Sequence, residues 1–99
     1  MAELEYHPEA SDDVAEAFSW YASVNPDVGE QFKLELERAE ELVHRSPESW
    51  GPYFHETQGF RFRVFPFVMA YVVRDERIIV IAVAHTRKRP GYWRDRLAD

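Results

Sequence analysis

FRFRVFPFVMAYVVRDERIIVIAVAH, residues 60–85, reads as three consecutive β-strands. In its first part, FRFRVF, a period of two sets Phe60, Phe62 and Val64 on one face and Arg61, Arg63 and Phe65 on the other. FVMAYVV (67–73) and RIIVIAVAH (77–85) follow, and only Arg74, Asp75 and Glu76 separate them, the spacing of a tight hairpin. The last run is apolar on both faces in places, which predicts a central strand.

Working towards the N-terminus, SPESWGPYFHETQG is rich in turn formers and detaches these strands from two helical segments. Asn25 is placed to cap the second helix with Pro26 at its first position, and Asp27 and Glu30 suit its positive end. Val28, Phe32, Leu36, Ala39 and Val43 form its apolar stripe until Ser46-Pro47. The preceding helix starts at Pro8 and runs to about Ser23, with Ala10, Val14, Ala17, Phe18 and Tyr21 facing inward and Asp12, Asp13 and Glu16 facing water. ELEYH (3–7) alternates and stops at Pro8, a short first strand.

Towards the C-terminus, TRKRPGYWRDRL ends in a short helical tail from about Pro90 to Leu97. The order β-α-α-β-β-β is an α+β layout, with the helical hairpin on one face of a mostly antiparallel sheet. Its other face and an exposed sheet edge are then expected to be open to a partner, with Phe65 and Phe67 among the exposed apolar groups.

Ninety-nine residues, 45% apolar and 15% aromatic, suit a single folded domain over 1–99. No apolar run approaches the length of a membrane span and no basic-then-apolar leader opens the chain, so a cytoplasmic protein is expected. Without cysteine, disulfide and thiolate-metal frameworks are excluded. The net charge of −6 hides a division: residues 1–50 carry three basic and thirteen acidic side chains, residues 51–99 nine basic and five acidic. A general nucleic-acid binder is usually basic throughout, so the positive half reads as a local site held against an acidic body.

RFRVFPFVMAYVV, IIVIAVAHTRKRPGYWRDR and, more weakly, NPDVGEQF resemble the RelE/ParE superfamily, toxins of bacterial type II toxin–antitoxin pairs also described as plasmid-stabilisation proteins. The likeness covers nearly the whole chain. It implies a RelE/ParE-like fold, a cognate antitoxin protein bound in a toxin–antitoxin hetero-oligomer, and no cofactor. It also implies one of two activities. ParE-like members bind DNA gyrase and poison it without catalysis, whereas RelE-like members are endoribonucleases that cut mRNA on the ribosome without a metal. A homologue that only binds its antitoxin is the third reading. The acidic helices and the His-to-Trp tail favour the ParE-like branch.

Metal-free RNA cleavage needs a base, an acid and cations on the phosphate oxygens; His85, Arg63 and Tyr92 are the candidates for those roles. As contacts to a phosphate or a partner, Arg61, Arg63, Arg87, Arg89, Tyr92, Trp93 and Arg94 stand out, Arg61 and Arg63 first. Plainer roles stand beside these. His85 serves equally as an anchor of the tail, Arg87, Arg89, Arg94 and Arg96 as partners of the acidic helices, and Tyr92 and Trp93 as aromatic pins onto the sheet. Glu40 and His44 are four apart on a helix, but two ligands without a third make no metal site, and no metal or nucleotide-loop motif occurs.

Overall fold

In the computed structural model, residues 3–98 are described; the outermost residues of the expected 1–99 domain lie outside them. The elements are β1 (Glu3–Tyr6), α1 (Pro8–Val24), α2 (Pro26–Arg45), β2 (Gln58–Arg61), β3 (Phe67–Arg74) and β4 (Arg77–His85), with 3-10 turns at Phe54–Glu56 and Arg94–Ala98.

Local chemistry sets the helix ends. His7 Nδ1 accepts from the Glu9 amide at 3.1 Å, and Asn25 Oδ1 accepts from the Asp27 amide at 2.8 Å. Asn25 also ends α1, its own N–H donating to Tyr21 O at 3.0 Å, so one residue closes the first helix and opens the second. The helices then touch. A Cβ added to Gly29 would lie 2.9 Å from Ala22 Cβ, so the absence of a side chain there permits the approach.

The sheet order is β1-β4-β3-β2, with β1 parallel to β4 and the other pairs antiparallel. β4 is central, as its two-sided apolarity predicts. Under the helices, Phe32, Val43, Ala10 and Ala17 pack on Phe60, Phe62, Phe67, Met69, Tyr71 and Ile78. Phe32 is ringed by Phe62, Phe65 and Phe67 at centroid distances of 6.1, 5.4 and 5.4 Å.

Three expectations are corrected. First, the strand over residues 60–65 stops at Arg61. Pro66 has no N–H for a ladder, and Glu35 of α2 accepts from the backbone amides of Arg63 and Val64, which holds the chain in a loop. Alternation fails there: Val64 is 79% exposed, while Phe65 and Phe67 are buried rather than presented to a partner.

Second, the sheet face away from the helices is not open. The tail folds back over it, and Trp93, 1% exposed, packs with Ala70, Val72, Ile81, Ala82 and Ala84. The three alanines leave room above the sheet for one indole. The outer edge of β2 is also largely taken: Pro52 bridges Gln58, Gly59 N donates to Gly51 O at 3.0 Å, and Tyr53 N donates to Thr57 O at 2.8 Å. Third, on α1 Asp13 does not face water but is drawn into the anchor of the tail, while Phe18, expected to face inward, is exposed.

Candidate functional site

The site is built on that anchor. Tyr71 pairs with Val80 but Ala70 pairs with Ala82, so Ile81 is an extra residue in β4 and marks a bulge. Arg96 Nη1 donates to Ile81 O at 3.1 Å and to Asp13 Oδ2 at 2.7 Å, and its Nη2 donates to Asp13 Oδ1 at 3.2 Å. Asp13 Oδ2 accepts in turn from the Val83 amide at 3.1 Å. Glu9 adds a longer contact to Arg96 Nε at 3.3 Å. Burial opposes the Arg96 charge, but the hydrogen bonds and field of Asp13 outweigh it and raise its pKa. Arg96 is thus the tail arginine that pairs with the acidic helix.

Short turns carry the chain from β4 to this anchor. Lys88 N donates to His85 O, Tyr92 N to Arg89 O, Arg94 N to Gly91 O and Arg96 N to Trp93 O. Gly91 has φ +76°, and a Cβ there would lie 2.4 Å from His55 Nε2, so conformation and space both require glycine. His55 stands edge-on to Trp93 at 5.8 Å, and Tyr53 stacks on Trp93 at 6.1 Å. Both aromatic pins expected of the tail are therefore present, Trp93 fully and Tyr92 partly buried.

Between the end of β2, the end of β4 and the tail lies a cleft of ≈ 250 Å³, lined by Arg61, His85, Lys88, Arg89, Tyr92 and Trp93 with Tyr53 and Phe54 at its wall. Among the described residues no carboxylate lines it, and none pairs with Arg61, Lys88 or Arg89. His85 Nδ1 accepts from the Arg87 amide at 3.0 Å, and its ring stands edge-on to Phe67 at 5.1 Å. Lys88 Nζ lies 4.9 Å from the centre of the Tyr92 ring, a cation–π contact. Burial first, and the Asp13 charge next, raise the Tyr92 pKa, so its phenol holds its proton more firmly than a free tyrosine.

Arg61, Arg89, His85, Tyr92 and Trp93 are thus brought together as the sequence suggests. Arg63 is not: it borders a separate hollow against α2 with Leu34, Arg38 and Val64. Arg87 and Arg94 are exposed on the tail outside the cleft lining. The proposed catalytic trio His85, Arg63 and Tyr92 is therefore divided between two places. Lys88 and Asp13 are additions. Lys88 sits inside the run Arg87-Lys88-Arg89, which was signal enough; Asp13 was marked only by its helical spacing of three from Ala10. On the other side of His85, Lys88 and Tyr92 a second groove of ≈ 200 Å³ runs along α1 past Trp20, which is 65% exposed. Among the described residues no group of three His, Cys, Asp or Glu side chains is arranged to hold a metal ion.

Comparison with known proteins finds likenesses over most of the chain. Residues 4–90 match the family described as ParE toxin of type II toxin-antitoxin system, parDE. Toxin ParE2 of Mycobacterium tuberculosis, in strains CDC 1551 / Oshkosh and ATCC 25618 / H37Rv, is 31% identical over 89 residues, covering 89% of this chain and 85% of the relative. A solved structure of the chromosomal ParDE TA system from P. aeruginosa superimposes with a TM-score of 0.75 over 88% of this chain and 98% of that one; at 13% identity it shows the shared fold. The family match ends one residue before Gly91, so Tyr92, Trp93 and Arg96 lie beyond it.

Proposed function

Because this chain belongs to the ParE toxin family of type II toxin–antitoxin systems, we propose that it is a cytoplasmic growth inhibitor, held inactive in a hetero-oligomer with its cognate antitoxin and acting, once freed, by docking on DNA gyrase. The observation that carries this reading is the family match over residues 4–90. The separation of Arg63 from His85 and Tyr92 supports docking over phosphodiester cleavage by that trio. No helix among the described residues is long and apolar enough to cross a membrane. The groove beside Trp20 is one partly apolar surface still open to the antitoxin, since the tail closes the sheet face behind it.

The RelE-like reading keeps one observation in its favour: His85, Arg61, Arg89 and Tyr92 share a cleft. Induction without the antitoxin separates the readings. Docking on gyrase predicts inhibited supercoiling and a DNA-damage response with intact mRNA, survival of toxicity in His85→Gln, and its loss on removal of the tail after Arg87. Broken mRNA with unimpaired supercoiling overturns it in favour of an endoribonuclease, and growth unaffected by induction identifies a chain that only binds its antitoxin.

A further inference from the structure

We propose that the outer face of α2 and the loop after β2 form a self-complementary surface on which a second copy of this chain docks, the two α2 helices running antiparallel about Leu34. The inference does not rest on the docking function proposed above, and it uses no residue of the cleft or of the Trp20 groove.

The first argument is an apolar patch without a cover. Leu34, 62% exposed, stands in the middle of the solvent face of α2, and Val64, 79% exposed, lines the same hollow of ≈ 270 Å³. One exposed leucine is ordinary on a monomer. Here two apolar side chains come from separate elements, and Glu35 ties the loop to the helix by accepting from the Arg63 amide and, at 2.8 Å, from the Val64 amide. The loop is ordered before anything arrives, so docking there costs little further ordering. A hollow of that size admits a leucine side chain, and Leu34 of each copy can enter the hollow of the other.

The second argument is charge. Glu30 and Arg38 lie one turn to either side of Leu34, both are exposed, and among the described residues neither has an ion-pair partner. A two-fold axis through Leu34 brings Glu30 of each copy opposite Arg38 of the other, two ion pairs from one contact. A parallel pair would instead set Glu30 on Glu30 and Arg38 on Arg38. Antiparallel helices also bring opposite dipole ends together. A foreign helix would have to carry the same order of acid, leucine and base at four-residue steps; a second copy carries it by construction. The net charge of −6 on each copy opposes association, and the contact is one helix and one loop, so a weak, exchanging dimer is expected.

The test measures the mass of the purified full chain by sedimentation over a wide range of concentration. Expected is a reversible monomer–dimer equilibrium in the micromolar range. Leu34→Asp and Arg38→Glu should each weaken it at least about tenfold with unchanged melting, because both side chains are exposed in the free chain. Should Leu34→Asp melt early, Val64→Ser reads the same contact. Glu30→Arg should weaken the dimer as Arg38→Glu does, and the two exchanges together should restore it to within about threefold, a recovery that no folding defect mimics. Trp20→Ala, on the other groove, should leave it unchanged. A chain that stays monomeric at every concentration, a dimer that survives Leu34→Asp, or single exchanges that the double exchange does not rescue overturns the proposal. So does a monomer that holds a different protein through Leu34, since the face then belongs to a foreign chain. Supercoiling inhibition is scored separately, so the docking function and this dimer stand or fall independently.

Discussion

The two faces of the sheet are closed by different means. Beneath the helices lie large side chains, Phe60, Phe62, Phe67, Met69 and Tyr71, interlocked with Phe32 and Val43 from helices of 17 and 20 residues. Beneath the tail lie Ala70, Ala82 and Ala84, covered by one indole and fastened by Arg96 through Asp13 and, at longer range, Glu9. Apolar burial scales with area, so the first face carries most of the stability. On the second face, lightly closed, Arg61, Lys88 and Arg89 share a cleft that no carboxylate lines among the described residues. The main aromatic core and the cationic cleft thereby lie on opposite sides of the same strands.

The largest expected effect is on the first face. Phe32→Ala should cost about 4 kcal/mol and lower the whole unfolding transition, as measured by urea denaturation. Trp93→Ala should cost about 3 kcal/mol but concentrate its effect in the tail, with faster amide exchange over residues 88–97 and protected α1 and α2. Equal loss of protection on both faces would break the comparison.

Next comes the fastening. Arg96→Ala leaves Asp13 partly buried without its partner and should cost about 3 kcal/mol, whereas Arg77→Ala, which removes an exposed pair with Glu5, should scarcely move the melting temperature. If the two variants melt alike, the buried pair is not what holds the tail.

Alkaline pH sharpens the contrast. Burial pushes Tyr71, on the helix face, up to about 12, and its hydroxyl donates to Pro47 O at 2.5 Å. In the unfolded chain the phenol ionises from about pH 10, so over that interval the folded state holds more protons and stability falls as pH rises. This contribution is complete below pH 10 and lost through about pH 12, a decline of about 2 kcal/mol visible in melting curves alongside delayed tyrosinate absorbance. Ordinary tyrosinate titration in the folded protein would remove Tyr71 as its source.

The smallest expected change is a gain. Asp75 and Glu76 turn between β3 and β4 with φ of +53° and +62°, a conformation that costs a side-chain-bearing residue. Glu76→Gly should raise stability by about 1 kcal/mol without altering either face, again by denaturant titration.

Much of the fold was legible because local signals agreed. Asn25-Pro26 announced the helical reversal, and the apolar runs at 67–73 and 77–85 announced the hairpin. The shortened β2 was not legible, because its end depends on Glu35, distant in sequence, reaching the amides of Arg63 and Val64. Arg61 and Arg63 looked equivalent under a period of two; once the strand stops between them, they part. His55 and Glu56 adopt positive φ with neither glycine nor asparagine to signal it. For the cleft, the residue types were readable but their convergence was not. It depends on a tail that folds back, and on Asp13, which reads as a solvated helix residue until Arg96 reaches it.

Arg96 and Asp13 are 83 positions apart, which gives the molecule an order of assembly. During synthesis the hairpin and all four strands leave the ribosome before Arg96 does, so the aromatic core can form while the cationic pocket is still missing a wall. A nascent chain interrupted short of Trp93 thus keeps the helix-side core but lacks the indole and the ion pair that close the second face.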